Sequence, residues 1–365
     1  MSPKLPFLDN LRTFCVIILF CCAAVIGYGV MTPHHTFVAM PAAERSGAVS
    51  LAAYFLFLLA VPCLFFISGY CTAASLRVRL FRPFLQRRLH RIGLPWLAGA
   101  VVIAPILAYI SALSRQSDVA PLTFLTTSFF GPAYEQGHYW FLGLLCLCTL
   151  VLTAAKKLRR NILRRVPGQR LLPLYVIPLF LLLHSAGTLL IWYVLPGFYG
   201  NVIEQMYTLA VTPYLLLSSC LYFALGVYAM KHRWFTAQGY TPSLPWLVLL
   251  LLALVLYRSD WHFFFLVGFG LPITDVFISL TGLFSLLAIF ARFAGKTSPS
   301  TEKLALFAYP LYYLGNACLQ LLAYFLLPLT VGPVLKVTLA IVLTLVYVYF
   351  LTNYLLFRLT CFQRR

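Results

Sequence analysis

Long apolar runs alternate with short polar ones along the whole chain, and that pattern predicts helices that cross a bilayer. A hydrocarbon core about 30 Å thick needs about 20 apolar residues in helical form. Runs of that kind fall at Leu11 to Met31, Leu51 to Ala74, Ile92 to Ala112, Tyr139 to Ala155 and Leu172 to Leu195. Five more fall at Met206 to Met230, Leu244 to Tyr257, Phe263 to Phe290, Leu304 to Leu327 and Val331 to Phe357. The eighth run is interrupted at Gly268, Gly270 and Pro272, where a break is expected. The pattern predicts a single all-α domain over residues 1–365, a polytopic integral membrane helix bundle of about ten transmembrane helices.

Composition removes the soluble alternative. Hydrophobic residues make up 62% of the chain and charged residues 10%, with a mean hydropathy of +0.91, whereas soluble domains carry about a quarter charged residues. Charge placement then orients the bundle, because short loops rich in Lys and Arg stay in the cytoplasm. Lys4, the arginines from Arg77 to Arg91, the cations from Lys156 to Arg170, then Lys231, Arg233, Arg292, Lys296, Lys303, Arg358, Arg364 and Arg365 fall on one side. They account for 22 of the 27 cations. Arg45, Arg115 and Arg258 fall in the opposite loops, and Arg12 and Lys336 sit at span ends. An even number of spans with both termini cytoplasmic satisfies this alternation.

The net charge of +19 does not imply nucleic acid. The cations are spread over alternate loops without the aromatic interleaving of a nucleic-acid groove, so contacts with anionic membrane lipids account for most of them. The first run is too long for a cleaved signal peptide and carries Asp9 and Arg12 at its mouth, so it reads as a retained first helix. All ten cysteines lie in or beside apolar runs, and Cys146 and Cys148 on one helix point about 200° apart. Neither a metal site nor a disulfide is expected from them. Two polar stretches, Thr32 to Ser50 and Ser114 to His138, face away from the cytoplasm and are long enough to serve as a lid or an acceptor cleft. The loop from Lys156 to Arg170 reads instead as a solvated basic anchor.

Four local patterns carry candidate chemistry. Leu8-Asp9-Asn10-Leu11-Arg12 opens the first helix, with Asp9 and Arg12 spaced to pair on one face. Phe65-Phe66-Ile67-Ser68-Gly69-Tyr70 lies towards the end of the second, where Gly69 permits close helix approach. Arg87-Arg88-Leu89-His90-Arg91-Ile92-Gly93-Leu94-Pro95 precedes the third apolar run, with Arg88 and Arg91 about one turn apart and able to present two guanidinium forks to one phosphate. His138-Tyr139-Trp140-Phe141-Leu142 opens the fourth, three residues after Glu135, a carboxylate placed to orient the imidazole as a base or to cap the loop.

Together these patterns resemble the acyltransferase-3 family of integral membrane acyltransferases, including those that modify glucans and O-antigens. The resemblance spans nearly the whole chain and is strongest before Leu142. It implies a multi-pass protein of the bacterial inner membrane that transfers an acetyl or other short acyl group from cytoplasmic acyl-CoA to a cell-envelope saccharide. It further implies that Asp9, Arg12, Arg88 and Arg91 lie on the acyl-CoA side. In the family a histidine follows the first-helix arginine by eleven residues, about three turns and about 16 Å along the axis. Here that position is Ala23. Cys22 beside it faces about 100° away, and a lipid-buried thiol is a poor nucleophile. The ninth run carries Tyr309-Pro310-Leu311-Tyr312-Tyr313-Leu314-Gly315-Asn316, with Gly315 where the family places another histidine. His184, inside the fifth run, is an intramembrane ionisable group and so a further candidate.

Two functions follow. One is an acyltransferase with His138 and Glu135 as the remaining catalytic candidates. The other is a non-catalytic relative that binds within an envelope polysaccharide machine, through a partner protein. A small-solute transporter is disfavoured because charged residues inside the runs are few.

Overall fold

The computed structural model describes residues 5–29, 37–38, 40–115, 120–130, 134–159, 161–172, 175–194, 213–263 and 270–354. Lys4, Arg160, Gly268, Arg358, Arg364 and Arg365, together with the chain ends expected in the cytoplasm, lie outside these residues. Among the described residues a helix overlaps each of the ten apolar runs. These helices are α1 (Pro6–Val25), α2 (Gly47–Val78), α3 (Phe81–Ser114), α4 (Trp140–Leu158) and α5 (Val176–Leu189). The others are α6 (Pro213–Lys231), α7 (Pro245–Phe263), α8 (Gly270–Phe293), α9 (299–326) and α10 (Pro333–Tyr354). Seven of them, α1, α2, α3, α4, α6, α8 and α10, are long and apolar enough to cross a membrane. The run expected from Phe263 begins as helix at Gly270, and α7 continues to Phe263.

Lipid removes the hydrophobic drive between helices, so close packing must hold them together. The contact between α2 and α6 illustrates how. A Cβ on Gly69 would collide with the Phe223 carbonyl, and one on Gly226 with the Phe66 carbonyl. The two glycines thus let the backbones meet reciprocally, and Phe65, Phe66 and Tyr222 fill the space around the crossing with no exposure. α1 lies against α2, α8 and α9, and buries Leu11 and Cys15 completely. Asn10 fastens its first turn by donating to the Ala294 and Lys296 carbonyls at 2.8 and 3.2 Å.

Prolines shape α3 and α9. A widened π turn at Leu89–Gly93 precedes Pro95, a second at Gly99–Ile103 precedes Pro105, and α9 has one at Leu311–Gly315 directly after Pro310. A proline lacks the N–H that would close the preceding helical turn, and a π turn absorbs the mismatch. α3 begins at Phe81, well before the apolar run. The Arg-x-x-Arg element therefore lies inside the helix and not ahead of it, because long guanidinium stems reach water from a continuous helix.

Candidate functional site

Three of the four sequence patterns converge at one end of the bundle, where the arginines cluster. Arg12 pairs with Asp9 at 3.1 Å, on the shared face that their spacing predicts, and both remain about 40% exposed. Thr13 donates to the Asp9 carbonyl at 3.0 Å and steadies that turn. Arg88 reaches inward from α3, donating to the Thr72 hydroxyl of α2 at 2.9 Å while lying over the Phe84 ring at 5.7 Å. Arg91, on the π turn, is exposed. Arg88 and Arg12 nonetheless act electrostatically on the same neighbour, Cys71 of α2, and Arg88 also feels Arg91 and Arg79. The basic mouth thus gathers arginines from α1 and α3 around one turn of α2, with Asp9 as its acid. The second pattern supplies that turn.

Two tyrosines tie this mouth to the other end. Pro95 has no N–H to offer the Arg91 carbonyl, and the Tyr309 hydroxyl of α9 donates to it at 2.8 Å. The Tyr139 hydroxyl donates to the Tyr313 carbonyl in the α9 π turn at 2.9 Å, and the Tyr139 ring fills the space where Gly99 has no side chain. Tyr309 stacks towards Tyr313, and Tyr313 meets Tyr139 edge-on at 5.4 Å. An aromatic column therefore runs along the junction of α3, α4 and α9.

His138 sits at the head of this column. Its ring lies 3.9 Å from that of Tyr139, its carbonyl accepts the Tyr312 hydroxyl, and its Nε2 faces the Tyr313 carbonyl at 3.4 Å. A carbonyl only accepts, so Nε2 carries the hydrogen in this arrangement and Nδ1 presents a lone pair. Nδ1 is buried with no hydrogen-bond partner. The expected Glu135 to His138 pairing is absent from these bonds. Glu135 is buried and acts instead on Arg115, offsetting the burial that lowers that guanidinium from its ordinary value.

Ala23 and Gly315, far apart in sequence, face the same junction of α1 and α9. A Cβ on Gly315 would lie 3.1 Å from the Phe20 ring of α1, which leaves no room for an imidazole without a shift. Ala23, one turn on from Phe20, lines a cleft with Leu319, Gln320, Tyr28, Lys336 and Ala340 that holds about 10 Å³ of water-accessible volume. That is room for about one water molecule. Cys22 points elsewhere, its thiol 3.8 Å from the Ala53 carbonyl of α2.

The cleft is covered at the end opposite the arginines. The Met40 N–H donates to the Gly27 carbonyl at 3.2 Å, the Ser46 N–H to the Tyr28 carbonyl at 2.8 Å, and the Val38 N–H to the Gln320 side chain at 2.8 Å. The described part of the first polar stretch therefore forms a strap over α1. Lys336, 2% exposed on α10, donates to Glu44 of this strap at 2.7 Å. Sequence reading placed Lys336 at a span end and gave Glu44 no role. Nothing in their separation along the chain signals the pair. His184 is fully buried, stacked towards Tyr214, and neither ring nitrogen has a hydrogen-bond partner. It lies apart from the residues above.

No curated protein and no solved structure matches the chain. A family model described as an acyltransferase domain, that of acyltransferase 3, matches residues 5–353. Taken with the apolar helices and the arginine-lined mouth, a match of that extent places this protein in the acyltransferase-3 family of membrane acyltransferases.

Proposed function

We propose that this protein takes a short acyl group, such as acetyl, from cytoplasmic acyl-CoA and passes it to a cell-envelope saccharide across a bacterial inner membrane. In this reading the bundle has ten spans and cytoplasmic ends. The observation that carries it is the convergence of Arg12 and Arg88 on one turn of α2, with Arg91 in electrostatic reach. Guanidinium forks of this kind suit the phosphates of coenzyme A, and Arg88 keeps donors to spare beyond its bond to Thr72. When bound, the thioester supplies an activated acyl carbonyl. Arg88 and Arg91 hold the phosphate end, and the half-exposed Asp9 to Arg12 pair leaves Arg12 able to turn towards an anion. His138 Nδ1, the lone pair without a partner, is the atom fitted to take the acceptor hydroxyl proton.

Binding of acyl-CoA to purified protein, measured calorimetrically in wild type and in the Arg88→Ala, Arg91→Ala double variant, tests this reading. Loss of binding together with loss of glycan acylation is expected. Equal binding and equal glycan acylation in the double variant would sink it.

A second reading, a non-catalytic relative acting as a binding or assembly subunit of an envelope polysaccharide complex, draws on the junction of α1 and α9. Ala23 and the tightly enclosed Gly315 put no imidazole there. Acyl transfer by isolated wild-type protein would eliminate this reading.

A further inference from the structure

A second basic cluster forms on the other face of α2. Tyr70 and Cys71 are neighbours, yet Cys71 senses Arg12 and Arg88 whereas Tyr70 senses Arg165 and packs on the Phe235 ring at 5.7 Å. Arg165 belongs to the segment after α4 that was expected to be a solvated anchor. That segment is instead folded onto the turn following α6. The Val166 N–H donates to the Lys231 carbonyl at 3.0 Å, Leu163 is buried, and Gly168 lies so close to the Gln238 carbonyl that a Cβ has no room.

The turn after α6 is itself tightly built. Trp234 is 1% exposed, the Phe235 N–H donates to the Tyr240 carbonyl at 3.0 Å, and the Phe235 ring packs edge-on against Phe7 and Phe66. Arg233 and Phe235 hold φ angles of 57° and 62°, in the left-handed region. A non-glycine residue there costs about 1–3 kcal/mol and persists only where the surroundings over-determine it. Arg233 lies within electrostatic reach of Arg165, and its turn packs against the Arg165 segment through Gln238 and Gly168.

Arg77 and Arg233 thus both act on Arg165 as like charges. Burial and the repulsion of Arg77 both lower Arg165 from its ordinary value, and the remaining ionisable neighbours acting on it are Tyr70 and Arg233, with no carboxylate among these described residues. The Nε atoms of Arg165 and Arg233 are both buried without a hydrogen-bond partner. Arg233 donates through Nη1 to the Gln238 amide oxygen at 3.0 Å. Anchoring to a membrane surface needs none of this, and Arg164 and Arg170 in the same segment are simply exposed. Buried N–H groups on converging cations are costly by themselves, and an oxyanion with several acceptor oxygens offsets both the repulsion and the missing hydrogen bonds.

We propose that Arg77, Arg165 and Arg233 form a phosphate-binding site at the basic end of the bundle, separate from the mouth around Arg88. The phosphate belongs either to an anionic lipid headgroup or to a soluble phosphorylated compound, and both offer the same acceptor geometry. The site does not depend on acyl transfer.

Full-length protein purified into nanodiscs tests it with two probes. Inorganic phosphate is titrated into discs of phosphatidylcholine and followed by thermal melting, and phosphatidylglycerol is mixed into a second set and retained lipid is counted by native mass spectrometry. Wild type is expected to bind at least one probe. Arg165→Gln combined with Arg233→Gln should weaken that binding by about tenfold or more, the equivalent of one charge-assisted hydrogen bond. Arg170→Gln, a charge change in the same segment, should leave this binding in place. Saturation by phosphate in phosphatidylcholine discs assigns a soluble ligand, and a response to phosphatidylglycerol alone assigns a headgroup. The proposal is overturned if neither probe binds wild type, or if a double variant that melts normally without ligand binds both probes as wild type does. Where the double variant does not fold, Arg77→Gln at the exposed rim carries the same test, and unchanged binding overturns the proposal.

Discussion

Glu44 and Lys336, nearly three hundred residues apart in sequence, form an ion pair of 2.7 Å that closes the cleft below Ala23. Lys336 is almost wholly buried, and the second Glu44 oxygen is buried without a partner. Removing one member of such a pair strands the other charge, which costs about 3–5 kcal/mol. Lys336→Met alone should therefore lower the melting temperature of the purified protein markedly, whereas Lys336→Met with Glu44→Gln should recover most of the loss. Equal destabilisation by the single and double changes would mean that the pair does not hold the strap.

The Tyr309 hydroxyl supplies the donor that Pro95 denies to the Arg91 carbonyl. Tyr309→Phe keeps the ring and removes an exposed hydrogen bond, at a cost of about 1 kcal/mol. Since that carbonyl fixes the π turn carrying Arg91, acyl-CoA affinity should fall alongside stability. A variant with wild-type melting and wild-type acyl-CoA binding would show that the turn holds its shape without Tyr309.

Ala23 and Gly315 should respond differently to histidine. Ala23 is partly exposed beside its one-water cleft, so a larger side chain has an outlet, whereas Gly315 is buried against the Phe20 ring. Ala23→His should fold, and Gly315→His should lose stability by about 1–3 kcal/mol or more through overpacking. Acyl-CoA hydrolysis by Ala23→His, compared with wild type, reports whether the scaffold lacks only this base. The opposite order of melting temperatures would show that the junction of α1 and α9 is packed otherwise.

Arg88 contacts Thr72 and Phe84 at once, a task for a planar guanidinium. Arg88→Lys keeps the charge and loses the fork, so acyl-CoA binding should weaken by about tenfold, short of the loss in Arg88→Ala. Affinity equal to wild type in the lysine variant would reduce Arg88 to a point charge.

The aromatic column depends on Tyr139. Tyr139→Phe removes the bond to the Tyr313 carbonyl and leaves the weaker His138 Nε2 contact at 3.4 Å on that acceptor. Any acyl transfer should decline with little change in acyl-CoA affinity, a split that kinetics at saturating donor would reveal. Equal loss of affinity and turnover would place Tyr139 in donor binding.

Apolar runs were enough to locate ten of the helices among the described residues, because lipid demands long helical segments whatever their neighbours. The Asp9 to Arg12 pair was likewise legible, since three-residue spacing on a helix fixes proximity locally. The extent of α3 was not, because its basic first turns fail a hydropathy reading while remaining helical. The split duties of Glu135 and His138 were hidden as well. Three residues of spacing suggests contact only on a regular helix, and here Gly137, with φ of 54°, turns the chain between them.

Hydropathy, charge placement and local motifs were sufficient to identify a helical membrane protein of the acyltransferase-3 family, with Ala23 and Gly315 where imidazoles were expected. Tertiary structure alone decided which groups meet. It brought Arg12 and Arg88 to one turn of α2, set Ala23 and Gly315 on one junction, drew Lys336 to Glu44 and folded the Arg165 segment onto the turn that carries Arg233. Periodicity records only which face of a helix avoids lipid or water. Contacts between helices depend on rotation, crossing and loop path, which small residues and prolines set through sterics that no local spacing encodes.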